Sequence, residues 1–377
     1  MLDVLIDTHL FPLILLILLA VAFFLQLGYY WGFFWQLGRY RQKEKSTRKE
    51  GVSVVICARN EYHHLKDTLP LILEQDYPEY EVLVVNHASD DDTHYLLNRL
   101  EEQYPHLKTI AIREDLNFFT GKKFPLSIGI KSAKYDIILL TDADCKPSSR
   151  EWISRMQSAF SSKTEVVLGY GPYYHGKGLL NRLIRFDTAH IAIQYLSYAL
   201  AGLPYMGVGR NLSYAKSLFY RNKGFISHYR IRSGDDDLFI NRVANKKNTA
   251  IMVEPGSYTF SDPKQTFEKW VTQKKRHLST SAHYKFLHKF LLGLYAFSLY
   301  LFYTLAVVLL LLNISIWAVL AVVFLRMATQ YIVMAKCMKQ LNEKDLVPFL
   351  PVFELILLLL NTGTMISNFF RKPRRWK

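Results

Sequence analysis

Apolar residues are concentrated near the two ends of the chain, while the middle alternates between short apolar runs and polar stretches. Residues 10–35 carry no charge and are long enough to cross a bilayer, since a helical span needs roughly 20 apolar residues. We predict three further membrane segments at residues 290–312, 314–334 and 347–370. Arg326 lies inside one of them, where an ionisable side chain should face protein, water or a headgroup.

Between these ends, the hydrophobic pattern predicts strands that alternate with helices. The predicted strands are residues 52–57, 81–85, 109–112 and 137–141, and the helices between them are residues 61–75, 90–100 and 124–133. Because strands and helices that alternate at this spacing form parallel sheets, we expect an α/β domain with helices on both faces of the sheet.

Two carboxylates follow the last of these strands. Asp142 and Asp144 are separated by one residue, and side chains two positions apart in an extended chain point the same way. They can therefore converge on a hard cation with oxygen ligands, Mg²⁺ or Mn²⁺. The carboxyl end of a parallel strand is also where ligands bind in open α/β sheets. The alternative is an acidic turn before a helix that Ser148 or Ser149 caps.

Three aspartates follow one another at residues 235–237, after Gly234. Adjacent carboxylates repel one another, which raises the proton affinity of at least one of them. Such a carboxylate suits a general base that deprotonates a hydroxyl group, and a solvated helix start is the alternative. Lys122 follows Gly121 at a predicted helix start, where a lysine either meets a diphosphate or is simply solvated.

Two later segments have patterns that are compatible with contact with lipid. The predicted helix at residues 182–204 is aromatic and apolar around much of its circumference, so it lies on a membrane, lines an acceptor site or packs in the core. The predicted helix at residues 267–289 places Phe267, Trp270 and Leu278 on one stripe among basic residues. That pattern is typical of an interfacial helix in the headgroup plane.

The net charge of +15 is concentrated beside the apolar segments, within residues 39–49 and 269–289. Flanking positive charge marks the cytoplasmic side of a membrane and attracts anionic headgroups, so we expect a cytosolic middle domain and no nucleic-acid partner. Three crossings after that domain would leave the basic residues 371–377 outside. We therefore expect one C-terminal segment to be re-entrant, and the last is the candidate because Pro348, Pro351 and Glu354 disturb its first half.

In this order, the motifs together resemble glycosyltransferase family 2, the inverting group with the GT-A fold, in its membrane-integrated branch. The resemblance covers about residues 51–277. It is carried by Ala58-Arg59-Asn60-Glu61, Gly121-Lys122, Asp142-Ala143-Asp144, Gly209-Arg210-Asn211, the aspartates at residues 235–237, and Gln273-Lys274-Lys275-Arg276-His277, which is similar to the family's QxxRW motif.

The resemblance implies roles for individual residues. Asp142 and Asp144 would hold the metal as the DxD motif, Asp235 would be the catalytic base, and Asp236 is the alternative base. The substrate-binding residues that it implies are Asn60, Glu61, Asn86, Lys122, Asn211, Gln273 and Arg276.

The sequence also departs from the family pattern at three places. Asn86-His87 stands where the family usually has an aspartate that binds the nucleoside, which leaves the donor specificity open. His277 replaces the tryptophan of the family motif, which weakens the case for polymer synthesis. Gly234 replaces a glutamate before the catalytic aspartate.

We therefore expect a GT-A, Rossmann-like nucleotide-sugar-binding domain of the α/β class, inserted between an N-terminal transmembrane helix and a C-terminal helical membrane region. The expected boundaries are residues 1–38 for the first membrane helix, 39–50 for a basic linker, 51–262 for the catalytic domain, 263–289 for the interfacial helix, and 290–377 for the C-terminal membrane segments and basic tail.

The expected function is transfer of a hexose from a nucleotide sugar to a lipid or lipid-linked acceptor. We expect the nucleotide to be UDP. The transfer would require Mg²⁺ or Mn²⁺ and take place at the cytoplasmic face of the cell inner membrane. Two alternatives remain open: a processive polysaccharide synthase and a catalytically silent membrane scaffold that binds nucleotide sugars. A transporter would explain the apolar segments but not the ordered acidic motifs.

Overall fold

The computed structural model describes residues 2–42, 49–113, 121–231 and 233–370. The chain forms two compact units: a sheet unit, Arg41–Tyr284 with Thr364–Lys377, and a helical unit, Met1–Tyr40 with Lys285–Gly363. Half of the predicted basic linker, residues 43–48, and all of the basic tail lie outside the described residues.

The strands all belong to the sheet unit. They are β1 (Val52–Ala58), β2 (Tyr80–His87), β3 (Leu107–Ile112), β4 (Ile137–Leu140), β5 (Lys146–Pro147), β6 (Val166–Leu168), β7 (Leu212–Ala215), β8 (Thr249–Ile251) and β9 (Thr259–Phe260). Within the described residues, seven of them form one sheet in the order β3-β2-β1-β4-β7-β6-β8, and β5 pairs with β9 in a separate two-stranded sheet.

The large sheet is mixed rather than all-parallel. The four predicted strands, β1 to β4, are parallel to one another. Strand β7, however, runs antiparallel to both of its neighbours, β4 and β6. The parallel arrangement therefore holds for the first half of the sheet, and the short strand β7 reverses the direction.

The helices of the sheet unit are α3 (Tyr62–Leu73), α4 (Thr93–Gln103), α5 (Lys123–Ser132), α6 (Trp152–Ser158), α7 (Leu179–Leu200), α8 (Lys216–Arg221), α9 (Asp237–Val243) and α10 (Phe267–Leu278). Helix α3 shows why the first of these form. Leu65, Leu69 and Ile72 lie on one face, and all three are buried in the cluster that contains Val54 of β1 and Val84 of β2. This packing fixes the ends of β1 and β2 beside each other.

Helix α7 packs in the core, one of the alternatives that its apolar sequence left open. Its buried residues come from every side of the helix. The polar residue Asp187 is buried as well, and its Oδ1 lies 2.6 Å from the Nζ of Lys274 on α10. The helix predicted at residues 267–289 is interrupted, because α10 ends at Leu278 and a new helix begins at Phe286.

The helical unit contains α1 (Leu2–Leu27), a π-helical turn (Gly28–Phe34), α2 (Trp35–Gly38), α11 (Phe286–Leu311), α12 (Ile316–Gln340) and most of α13 (Leu350–Phe370). Four segments of the described chain are long and apolar enough to cross a membrane: Leu10–Gly38, Phe286–Leu311, Ile316–Gln340 and Lys344–Asn368. Pro348 lies in the 3₁₀ turn before α13 and Pro351 in its first turn, where proline is tolerated.

Candidate active site

The carboxyl end of β4 carries the predicted metal site. Asp142, Asp144 and Cys145 follow this strand, and each places one ligand atom within 4.8 Å of the others. The turn is held from two sides, since Thr68 Oγ1 donates to the Ala143 carbonyl over 2.8 Å and the Cys145 N–H donates to the Asp142 carbonyl over 3.1 Å. The two carboxylates therefore converge on a fixed turn.

Ser148 and Ser149 do not cap the next helix. Helix α6 follows Glu151, and the two serine hydroxyls donate to the carbonyls of Pro255 and Gly256 over 2.7 and 2.8 Å. The alternative explanation of the acidic turn, in which a serine caps the following helix, does not match the structure.

The two carboxylates differ in their electrostatic surroundings. Burial opposes the ionisation of Asp142, but the Lys122 ammonium, which also donates a hydrogen bond to it, and the charges of Arg210 and Arg276 lower its pKa. Burial and then the charge of Asp142 raise the pKa of Asp144. One carboxylate is thus held ionised by cations, and the other would gain a compensating charge from a bound cation.

The donor atoms suit a hard metal ion. Burial, followed by the charges of Asp144 and Asp142, raises the pKa of the Cys145 thiol well above its usual range. This thiol stays protonated at neutral pH and is a poor metal ligand in that form. The remaining donors are carboxylate oxygens, which are the ligands that Mg²⁺ and Mn²⁺ prefer.

Asn60 and Asn86 lie together at the ends of the parallel strands β1 and β2. Asn60 has a positive φ of 55° and its Oδ1 accepts from the Asp90 N–H over 2.8 Å. Ser89 joins the two asparagines, because its hydroxyl accepts from the Asn60 N–H over 2.9 Å and donates to Asn86 Oδ1 over 2.6 Å. Asn86 Nδ2 has no acceptor within the described residues, so this amide can donate to a ligand.

Glu61 belongs to the same frame. It is buried, its N–H donates to Thr93 Oγ1 over 3.1 Å, and its Oε2 lies 2.7 Å from Nδ1 of His64. These contacts join the start of α3 to the start of α4. The predicted nucleoside residues Asn60, Glu61 and Asn86 are therefore brought together at one edge of the sheet.

The three consecutive aspartates have three different surroundings. Asp236 accepts two backbone hydrogen bonds, from the Gly209 N–H over 2.8 Å and from the Asp237 N–H over 2.7 Å. Asp237 accepts from the hydroxyls of Thr280 and, over 2.8 Å, Tyr284. The Asp235 carboxylate accepts no hydrogen bond from the described residues, so it alone has its oxygens available for a substrate hydroxyl.

Crowding of these carboxylates affects their protonation. Burial and then the charges of Asp235 and Asp237 raise the pKa of Asp236 to about 7. Burial also raises the pKa of Asp237, against the hydrogen bonds of Thr280 and Tyr284. The repulsion expected from the sequence is therefore present, and it falls on the second and third aspartates.

Gly234 cannot be replaced by the family's glutamate without rearrangement. Its φ is +96°, a conformation that favours glycine. A Cβ at this position would clash with Cδ1 of Leu238, in the first turn of α9. The glycine thus permits the close turn that presents Asp235.

Lys123 is a site residue that the sequence did not distinguish from its neighbour. Its Nζ donates to the carbonyls of His228 over 2.9 Å and Ser233 over 2.6 Å, and also to that of Ile231. Burial lowers its pKa to about 8, although the aspartates after Gly234 oppose that shift. Lys123 thus secures the backbone that leads into the acidic cluster. The paired lysines at a helix start were the only signal in the sequence.

Comparison with known proteins supports the resemblance that the sequence motifs suggested. Residues 53–230 match the model of "Glycosyl transferase family 2". These residues, a little under half of the chain, are therefore similar to glycosyltransferase family 2. A probable glycosyltransferase of Bacillus subtilis (strain 168), YdaM, is 27% identical over 277 residues, which are 70% of this chain and 63% of that protein. The chain thus matches less than two thirds of this relative's length.

Two further proteins are similar to this chain. Poly-beta-1,6-N-acetyl-D-glucosamine synthase of Staphylococcus epidermidis is 31% identical over 102 residues, which are 27% of this chain and 24% of that protein. A mannosyltransferase of Pyrobaculum calidifontis, solved in complex with GDP-Man and Mn²⁺, superposes with a TM-score of 0.62 at 17% identity and covers 96% of this chain and 99% of that one. At that identity, the second similarity shows the shared GT-A fold alone.

Asn211 is enclosed by the protein, whereas we expected it to contact a substrate. Its side chain is fully buried. Its Nδ2 donates to the carbonyls of Tyr170 over 2.9 Å and Ser257 over 2.7 Å, and its Oδ1 accepts from Trp152 Nε1 over 3.1 Å. The amide therefore anchors the start of β7 in the core.

The motif at residues 273–277 on α10 has side chains both at the candidate site and in the interior. Gln273 Nε2 donates to the hydroxyl of Tyr173 over 3.1 Å, and Arg276 is half-buried with its charge acting on Asp142. His277 is exposed. Desolvation by its neighbours, followed by the positive charges of Arg276, Arg210 and Lys274, lowers its pKa.

Proposed function

We propose that the protein is a membrane-bound inverting glycosyltransferase that moves a hexose from a UDP-linked sugar to a lipid or lipid-linked acceptor. One observation carries the proposal: Lys122 is paired with Asp142 of the metal site, and its charge also interacts with Asp235 of the acidic cluster. The proposed site for a metal-bound diphosphate and the candidate base would therefore lie close to each other.

The residues of the cleft suit a direct displacement. Asp142 and Asp144 would hold Mg²⁺ or Mn²⁺, which supplies a Lewis acid for the diphosphate leaving group. Lys122 and Arg276 place positive charge where the departing diphosphate gains negative charge. Asp235 accepts the proton of the acceptor hydroxyl as that oxygen attacks the anomeric carbon and the bond to the diphosphate oxygen breaks. Attack from the face opposite the leaving group inverts the anomeric centre.

The proposed lipid acceptor rests on the apolar helices. The four segments that are able to cross a membrane would keep the sheet unit near a bilayer, where lipid-linked acceptors are found. The basic residues beside these segments favour a cytoplasmic orientation, which we propose to be at the cell inner membrane. The second candidate is a processive synthase, favoured by the match to the Staphylococcus synthase and disfavoured by His277.

The test is turnover of sugar nucleotides by the purified, detergent-solubilised protein. A panel of UDP- and GDP-sugars is incubated with Mn²⁺, Mg²⁺ or EDTA, with and without membrane lipid extract, and nucleotide release and products are measured. We expect release that needs the metal and the lipid, and a product with one added sugar. Long polymer would support the synthase instead, and metal-dependent binding without turnover would support the silent scaffold.

Asp235→Asn separates catalysis from binding. Loss of a general base lowers turnover by about 10²- to 10⁴-fold, while metal-dependent nucleotide binding should remain. Asp67→Asn, at an exposed position on α3, is the matched control and should leave both unchanged. Turnover that Asp235→Asn leaves intact would contradict the assignment of the base.

A further inference from the structure

Arg210 is a cation of the candidate site for which the described residues supply no ionic partner. The described residues place no carboxylate within ion-pair distance of its guanidinium, in contrast to Lys122, which is paired with Asp142. Its charge nevertheless acts on both Asp142 and Asp144. Because a charge removed from water is unfavourable unless it is compensated, a half-buried guanidinium in this position calls for an anion from outside the chain.

The guanidinium of Arg210 is held by neutral groups. It stacks over the ring of Tyr173 at 4.4 Å from the centroid, and its Nη1 donates to Ser261 Oγ over 2.8 Å. No other guanidinium nitrogen has an acceptor within the described residues. Arginine presents five N–H donors in a planar fork that matches phosphate oxygens, so most of this donor set is left for a ligand.

The backbone at Arg210 is fixed as well. Its carbonyl accepts from Thr259 Oγ1 over 2.7 Å, and the buried amide of Asn211 anchors the next residue. The preceding N–H, of Gly209, donates to Asp236. The loop that carries Arg210 therefore joins the acidic cluster to the metal site, and the guanidinium has little freedom to move away.

We propose that Arg210 binds a phosphate group of the substrate, the diphosphate of the sugar-nucleotide donor, as a second cation beside Lys122. This inference rests on the proposed function and adds a residue to it. It also gives Gln273 a positioning role, because Gln273 Nε2 donates to Tyr173 OH and so orients the ring on which Arg210 stacks. A phosphate of a lipid-linked acceptor is the other source of the same chemistry.

The test compares nucleotides with and without phosphates. Binding of UDP, GDP, uridine and guanosine to detergent-solubilised protein is measured by calorimetry in the presence of Mn²⁺. Arg210→Met should weaken binding of the preferred diphosphate by about 10- to 100-fold, as for the loss of a charge-assisted hydrogen bond, without affecting the nucleoside. The affinity of Arg210→Lys for the diphosphate should lie between those of Arg210→Met and the wild type, because lysine keeps the charge but not the planar fork. Arg150→Met, at an exposed arginine of the sheet unit, is the control and should bind as the wild type does.

A further variant keeps the result interpretable if Arg210→Met fails to fold. Tyr173→Leu removes the ring but no charge, so a moderate loss of diphosphate affinity with an unchanged melting temperature supports the proposal even if Arg210→Met does not fold. Diphosphate affinity that stays within twofold of wild type in both variants would overturn it. Unchanged affinity with a raised KM for a phosphate-bearing lipid acceptor would assign Arg210 to the acceptor and overturn the donor assignment. Wild-type protein that binds no nucleotide would instead refute the proposed function.

Discussion

Asp235, Asp236 and Asp237 show how neighbouring residues of one type acquire different roles. Asp237 is fixed by two hydroxyl groups and Asp236 by two backbone N–H groups, whereas Asp235 has no such partner within the described residues. An aspartate whose pKa is raised is not necessarily the catalytic base. Availability to a substrate favours Asp235 as the proposed base, whereas Asp236 is the aspartate whose pKa is raised to about 7.

The protonation of Asp236 should be visible in the stability of the protein. A carboxyl group titrates near pH 4 in the unfolded chain, while burial and the adjacent aspartates raise the pKa of Asp236 to about 7. The folded state therefore binds an extra proton between about pH 4 and pH 7, and the free energy of unfolding falls as the pH rises through that range. Above pH 7 this contribution is constant.

Asp236→Asn should remove that dependence. The melting temperature in detergent is measured from pH 5 to pH 8 for the wild type, Asp236→Asn and the exposed control Asp67→Asn. We expect the advantage of Asp236→Asn over wild type to grow with pH up to about 7 and then to level off. Parallel curves for the wild type and Asp236→Asn would show that Asp236 titrates normally.

At this scale, local spacing predicted some site residues and missed others. The convergence of Asp142 and Asp144 could be predicted because two residues at one strand end are positioned by the local backbone alone. Lys123 and Arg210 could not, because their roles depend on carbonyl groups and rings contributed by distant loops. Asn211 illustrates the reverse error: a polar residue in a motif was expected to meet substrate, yet its three partners are in the core.

At the scale of elements, the first four strands were predictable because each contains a short apolar run and the segments between them show helix signals. Strand β7 was not, since it has only four residues and alternates Leu212, Ser213 and Tyr214 without a β-branched run. Its Ser213 hydroxyl instead donates to the carbonyl of Ile138 on β4 over 2.7 Å. Tertiary contacts therefore decided both the existence and the direction of this strand.

The contact between α7 and α10 depends on one buried ion pair. Lys274 and Asp187 expose only 6% and 7% of their side chains, and Lys274 Nζ also lies 5.4 Å from the centroid of the Trp270 ring. Removing one member leaves the other charge buried without compensation, which costs about 3–5 kcal/mol in such pairs. Replacement of both members by apolar residues of similar volume costs much less.

We therefore expect Lys274→Met to lower the melting temperature more than the double variant Lys274→Met/Asp187→Leu does. Lys269→Met, at an exposed position on α10, is the control and should have little effect. Since α10 also carries Gln273 and Arg276, Lys274→Met should weaken diphosphate binding along with stability. A Lys274→Met protein as stable as the Lys269→Met control would show that the pair contributes nothing to docking of α10.

At the scale of the whole molecule, each of the two units has its own centre. In the sheet unit the centre is the apolar cluster around β1, β2 and β4. In the helical unit, an apolar cluster joins α1, α11 and α12, and a polar cluster lies beside it. The residues of the polar cluster are Gln26, Tyr30, Tyr303, Arg326, Gln330 and Glu354, drawn from all four apolar segments.

Arg326 and Glu354 form the core of that polar cluster. Arg326 Nη2 lies 2.6 Å from Glu354 Oε2, and the two side chains are 0% and 4% exposed. Tyr30 and Tyr303 donate to the two carboxylate oxygens over 2.9 and 2.8 Å. A charge inside a bilayer is tolerated when it is paired and faces protein, as the sequence led us to expect for Arg326.

Single substitutions in this pair should be more harmful than the double one. Arg326→Met leaves the Glu354 carboxylate without its counter-charge, and Glu354→Gln does the same to the Arg326 guanidinium. Each substitution should lower the free energy of unfolding by about 3–5 kcal/mol if the remaining group stays ionised in the interior. Arg326→Met/Glu354→Leu removes both charges, so its melting temperature in detergent and its yield of monodisperse protein should exceed those of either single variant. Lys339→Met, at an exposed position on α12, is the control. If the double variant were the least stable of the set, the hydrogen bonds of Tyr30 and Tyr303 to the carboxylate, rather than the neutralisation of charge, would be what holds the four segments together.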